Sequence, residues 1–188
     1  KNFGVKQIRF DATMDIAYLH PKYYETNSKY LEDLNLVGKT YFFLRFVEWD
    51  AAHDFGQSGF SMEGKAKIIE LLTKYGEVII SSEGDLPGEF RKYLFEGEPS
   101  KIHTILKNAS LFISESGSMA TEAATLGTPS IMVNRSVKYF GVFEYISKFG
   151  NLYYFEKEEL AIEKIKYLLN LNNLKQNAIQ NAQEFISK

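Results

Sequence analysis

Residues Ser116-Gly117-Ser118 sit between a short apolar run, Leu111-Phe112-Ile113-Ser114, and a helical pattern that Gly127 closes. A small-residue turn of this kind leaves backbone N–H groups unpaired at a helix N-terminus, where the helix dipole also favours negative charge. The ligand that fits is a phosphate or diphosphate. The same serines can act simply as N-caps, a role that needs no ligand. Glu122 lies four residues beyond Ser118 and shares its helix face about one turn further in. There a carboxylate can accept hydrogen bonds from a sugar diol while the turn holds the phosphates. Its alternatives are to cap a neighbouring backbone segment or to face solvent.

Two further loops carry groups suited to the same ligand. The first contains Arg45, Glu48, Trp49, Asp50, His53, Asp54, Gly56, Gln57 and Gly59. His53 can contact a phosphate or move a proton, with Asp54 or Asp50 beside it, and Arg45 can pair with an anion. A structural network of ion pairs and turns accounts for these residues equally well. The second loop, Ser81-Ser82-Glu83-Gly84-Asp85, can line the same cleft or form a solvated turn capped by Asp85. The helix opening at Pro99 carries Ile102 and His103, whose backbone can border a base. Carboxylates are not clustered as a metal site requires, so no metal is expected.

These loops need a frame. Residues 41–47, Tyr-Phe-Phe-Leu-Arg-Phe-Val, read as a strand buried on both faces apart from one charge. A helix follows, with an apolar stripe of Ile68, Ile69, Leu71 and Leu72 and with Gly76 as its C-cap. The pattern then repeats. Strands are expected at 77–82, 111–114, 129–133 and 152–155, and helices or helical turns at 89–95, 99–109, 118–126, 139–148, 158–169 and 173–187. Short apolar strands alternating with helices give an α/β fold, a Rossmann-like parallel sheet with helices on both faces. Ligands of open α/β sheets bind beyond the carboxyl ends of the strands, where all three loops project. Phe42, Phe43, Phe46, Tyr153 and Tyr154 are expected in the core. Residues 1–35 lack a clean period and contain the breaker His20-Pro21, so they read as a connecting arm, with one domain over 36–188.

Composition narrows the classes. The 188 residues include 22 Lys plus Arg against 24 Asp plus Glu, a formal charge of -2, which offers no bulk attraction for nucleic acid. With 45% hydrophobic and 24% charged residues, the chain is too apolar to be disordered. Cysteine is absent, which removes disulfides and thiolate chemistry and fits a reducing, cytoplasmic setting. No apolar run approaches the roughly 18 residues that span a bilayer.

Residues 111–129 resemble a little-characterised prokaryotic family (DUF354-like) related to GT-B-type glycosyltransferases and to UDP-N-acetylglucosamine 2-epimerases. The likeness extends to Leu44-Arg45-Phe46-Val47-Glu48-Trp49-Asp50-Ala51-Ala52-His53-Asp54, to Ile79-Ile80-Ser81-Ser82-Glu83-Gly84 and to Ala17-Tyr18-Leu19-His20-Pro21. The resemblance implies the C-terminal domain of a GT-B fold, the half that binds the nucleotide diphosphate. A missing N-terminal domain would supply much of the acceptor site and often the catalytic base. Ser116, Gly117 and Ser118 would then hold the diphosphate of UDP or a UDP-sugar, Glu122 the ribose, and Ile102 and His103 would border the base. Glu83, Gly56 and Gln57 would line the cleft, and His53, Arg45 and Asp54 are the catalytic candidates. The resemblance implies no cofactor beyond this substrate. Its acceptor is a saccharide or lipid-linked group, which allows peripheral membrane association. Where the epimerases commonly carry Asp-Ser-Gly, this sequence has Glu115-Ser116-Gly117. The readings carried forward are glycosyl transfer by the whole protein, epimerisation, and nucleotide-sugar binding without turnover, with the isolated chain expected to be inactive.

Overall fold

The computed structural model describes residues 4–6, 12–48, 59–135, 137 and 140–187. The arm carries two short helices, α1 (Ile16–Leu19) and α2 (Ser28–Asp33). Neither is visible in the hydrophobic period, because each is little more than one turn long. Helix α2 begins where the Asn27 side chain accepts from the Tyr30 N–H at 3.1 Å.

Among the described residues the sheet has five parallel strands, β1 (Tyr41–Phe46), β2 (Glu77–Ser82), β3 (Leu111–Ser114), β4 (Ser130–Val133) and β5 (Leu152–Phe155). Their order is β2-β1-β3-β4-β5, so the chain first builds outward from β1 and then returns to place β3 on its other side. Alternation along β1 divides the core. Phe42, Leu44 and Phe46 face the layer formed by α3 (Met62–Leu72) and α7 (Glu158–Leu169). Tyr41 and Phe43 face the layer of α4 (Ile102–Asn108), α5 (Gly117–Thr125), α6 (Gly141–Ser147) and α8 (Leu174–Ile186), together with Leu19, Leu31 and Leu36 from the arm side. The fold is therefore α/β and Rossmann-like, with helices on both faces.

Three expectations need correction. Helix α3 ends at Leu72 with Thr73 as its C-cap, before Gly76. Gly76 serves a close approach instead, since a Cβ there would lie 2.4 Å from the Thr40 carbonyl oxygen. Tyr153 and Tyr154 are half-buried, not core, because β5 is an edge strand covered incompletely; the Lys164 ammonium lies 4.2 Å from the Tyr153 ring centroid. The helix expected at 99–109 splits into a 3-10 turn, Pro99–Lys101, followed by α4, whereas 89–95 carries the expected helical turn as a 3-10 helix, Gly88–Tyr93. Gly127, by contrast, closes α5 at φ +81°, as its position predicts.

Helix α8 carries a half-buried lysine whose ammonium is turned inward. Lys175 Nζ donates to the Lys107 carbonyl at 2.7 Å and to Thr128 Oγ1 at 2.5 Å. Burial, with the Lys107 charge adding to it, pushes the Lys175 ammonium down to about 7. In the unfolded chain a lysine keeps its proton to about 10.4. Between these values the unfolded state binds more protons, so stability should rise with pH and be lost as pH falls toward 7. Relative to Lys175→Met, the wild-type chain should gain on the order of 2 kcal/mol between pH 7 and 9. Urea titrations at several pH values would read this, and a gap that does not change with pH would contradict it.

Candidate functional site

The reversal of strand order falls between β1 and β3, the position at which open α/β sheets bind ligands beyond the carboxyl ends of their strands. On the β3 side the chain passes through Glu115 and Ser116 into α5. The Ser116 N–H donates to Ser114 Oγ at 2.7 Å, and that hydroxyl donates to the Ser116 carbonyl at 3.1 Å. This exchange ties down the turn. Ser116 stands at the N-cap, but its side chain makes no capping bond. The first helical N–H with a backbone acceptor is that of Ala120, which donates to the Ser116 carbonyl at 3.2 Å. The N–H groups of Gly117, Ser118 and Met119 precede it, and in helix geometry they point out of the N-terminal end. Gly117 is constrained by packing, since a Cβ there would sit 2.7 Å from Phe143 Cζ.

One turn along α5, Glu122 meets groups from two other elements. Its Oε1 accepts from the Tyr18 hydroxyl at 2.7 Å, and its Oε2 lies 3.3 Å from His103 Nε2. Tyr18 also reaches Asp15 Oδ1 at 3.2 Å, and its ring lies 5.9 Å from that of His103. Burial, followed by the Glu122 carboxylate, raises the Tyr18 hydroxyl above its usual range, so it stays a donor. Burial also raises Asp15. The structure thus brings the turn at 116–118, Glu122 and His103 onto α5 and the start of α4. Ile102 packs partly buried against the core. Tyr18 is a neighbour that sequence spacing does not reveal, because it stands 104 residues from Glu122.

Glu115, which precedes the turn, is a buried clamp. Its Oε2 accepts from the Val47 N–H and its Oε1 from the Phe60 N–H, both at 2.7 Å, with Lys65 Nζ 3.4 Å from Oε1. Burial raises its carboxyl, while Lys65 and the two N–H donors oppose the rise. Its position directly after an apolar strand was the signal that sequence reading took only as a variation in a motif.

Arg45 and Glu83 also come together. The guanidinium pairs with the Glu83 carboxylate and donates to Ser81 Oγ at 2.7 Å, so the charge on Arg45 is already matched. The other oxygen of Glu83 accepts from the Glu48 N–H at 3.3 Å. His53, Asp54, Gly56 and Gln57 lie outside the described residues. A cavity of about 680 Å³ opens at the start of α3 and α7, lined by Gly59, Phe60, Ser61, Arg135 and Glu158 among others. Arg135 was not anticipated. The preceding residue, Asn134, donates from its side chain to the Glu115 carbonyl at 3.4 Å, which sets this loop beside the turn.

Solved structures share this architecture. One is S. aureus MnaA in a co-structure with UDP, 17% identical with a TM-score of 0.55, the match covering 90% of this chain and 47% of that one. Another is the C-terminal CMP-Kdo binding domain of WaaA from Acinetobacter baumannii, 10% identical with a TM-score of 0.52, covering 92% of this chain and 100% of that one. A third is a putative UDP-N-acetylglucosamine 2-epimerase from Listeria monocytogenes, 18% identical with a TM-score of 0.51, covering 85% and 43%. At these identities the likeness is one of fold. The chain spans less than half the length of the first and third structures. No curated protein matches the sequence. The model of the family described as "Protein of unknown function (DUF354)" matches residues 1–186, and the chain belongs to that family.

Proposed function

We propose that this chain is the donor-binding part of a glycosyltransferase that uses a UDP-sugar-like substrate. The observation that carries the reading is the arrangement on α5, where outward N–H groups at Gly117 to Met119 and the Glu122 carboxylate one turn later share the switch point of the sheet. In this reading the diphosphate sits on Ser116, Gly117 and Ser118, and the ribose hydroxyls donate to Glu122. The base lies against the start of α4, at Ile102 and His103. Tyr18 and His103 hold the carboxylate in one orientation before the ligand arrives, which lowers the cost of ordering it. Support comes also from fold relatives seen with UDP or binding CMP-Kdo.

Glycosyl transfer breaks the bond between the anomeric carbon and the diphosphate oxygen while the acceptor oxygen bonds to that carbon. Negative charge grows on the departing diphosphate, and N–H groups already aimed at it stabilise the transition state. The arm at 1–35 would lead from a preceding domain that supplies acceptor contacts and the base, and residues 36–188 would form the donor domain. The acceptor would be a saccharide or a lipid-linked group, reached in the cytoplasm or at its membrane face. Among the described residues, no helix is long and apolar enough to cross a membrane.

The test is an isotope-edited NMR titration of this chain with UDP, with ADP, GDP and CDP as comparators. Saturable shifts at residues 116–122 with preference for UDP are expected, and Glu122→Ala should weaken binding roughly ten- to a hundredfold, as loss of a charged hydrogen-bond acceptor does. A folded sample that does not respond would remove the reading. Detection of a transferred sugar by the whole protein then separates transfer from epimerisation, which would change only the sugar's configuration.

A further inference from the structure

At the opposite end of α5 a second cavity, of about 450 Å³, lies between the arm, the end of α4 and α8. This is within the roughly 300–1,000 Å³ of ordinary small-molecule sites. Most of its wall is apolar, with Leu19 and Pro21 from the arm, Leu126 after α5, and Ile179, Ala182 and Ile186 from α8. Tyr24, Lys107, Asn108, Thr125, Lys175 and Gln183 contribute polar groups to that wall, and two of them, Thr125 and Lys175, remain under-used. Thr125 is 1% exposed, and among the described residues its Oγ1 has no hydrogen-bond partner. Lys175 has three N–H donors, of which the Lys107 carbonyl and Thr128 Oγ1 accept two. Among the described residues no carboxylate pairs with it.

A buried hydroxyl without a partner and an ammonium without a counter-ion are each costly. Both can donate, so the group that satisfies them together is a pure acceptor carrying negative charge. Lys107, which also lines the cavity and lies over the Tyr24 ring at 5.5 Å, adds to the positive field there. The apolar remainder of the wall requires an aliphatic body on that head group. We propose that this cavity binds a small amphipathic carboxylate, its acid group held by Lys175 and Thr125 and its hydrocarbon chain lying against Leu19, Leu126 and Ile179. The site is separate from the turn at 116–118 and does not depend on the nucleotide reading.

Octanoate is the probe, titrated into this chain at roughly pH 6, where Lys175 keeps its proton and the acid is ionised, by calorimetry and by methyl NMR, with octan-1-ol and octylamine as comparators of equal chain length. Octanoate should bind saturably and at least tenfold tighter than octanol, with octylamine weakest. Thr125→Val should weaken octanoate a few-fold. Lys175→Met should erase the preference for octanoate over octanol while leaving octanol binding in place. Ala182→Leu, which places added carbons in the cavity from α8, should remove binding of both and shows the location even if Lys175→Met does not fold. Failure of folded wild-type chain to bind octanoate, or equal affinity for octanoate and octanol, would overturn the proposal.

Discussion

Glu115→Ala should lower stability by about 3–5 kcal/mol, a fall in thermal midpoint on the order of 10 °C for a domain of this size. The substitution takes the acceptor from two backbone N–H groups at once, Val47 and Phe60, and leaves Lys65 without its buried counter-charge. An unpaired buried donor costs the full desolvation of that group, which exceeds the net worth of the bond it made. Glu115→Gln should recover only part of the loss, because a carboxamide has one acceptor oxygen for two converging donors and its NH2 would face the other N–H. Differential scanning calorimetry of both variants would measure the effect. A fall of less than about 1 kcal/mol for Glu115→Ala would show that other contacts hold Val47 and Phe60.

The second large effect is expected at Gly117. A Cβ on this residue would lie 2.7 Å from Phe143 Cζ and 3.2 Å from Cε1. The ring is packed against Tyr154, so it cannot simply withdraw. Gly117→Val should therefore displace the first turn of α5 and weaken UDP binding more than a hundredfold, with a stability loss of about 1–3 kcal/mol from overpacking. Gly117→Ala is a milder version, and a cycle with Phe143→Ala isolates the cause. In the Phe143→Ala background the added methyl should cost little affinity. If Gly117→Ala is as damaging there as in the wild-type chain, the clash is not the reason glycine is needed.

What could be read from the residues alone follows from the length of each signal. The strand at 41–46 stands out as a continuous apolar run, and the helices at 158–169 and 174–186 are long enough for burial to imprint a period on them. The turn at 116–118 was legible for another reason: small residues between an apolar strand and an alanine-rich helix have few other uses. The arm was not legible, because α1 and α2 are too short to show periodicity, although Asn27 before Ser28 was a capping signal that could have been used. The misassigned role of Gly76 shows a limit of local rules. A glycine a few residues after a helix suits a C-cap, and only the tertiary position of Thr40 reveals the close approach it permits. Likewise, nothing in the spacing of Glu115 shows that Val47 and Phe60 converge on it, and Tyr18 reaches Glu122 only after the arm has folded across α5.

The strand order also sets how the chain can assemble. Among the described residues β1 is the earliest strand in sequence and lies between β2 and β3, so Phe42 finds Val78 on one side before Leu111 exists to fill the other. Once β3 has docked, β4 and β5 add to that edge in the order in which they are made. Every pairing joins distant segments, which makes folding slow for a domain of this size. During synthesis, however, each new strand meets an edge that is already formed. The longest interval of exposure for β1 falls between completion of β2 and arrival of β3, when its apolar flank stands open, and in that interval the nascent chain is vulnerable to aggregation.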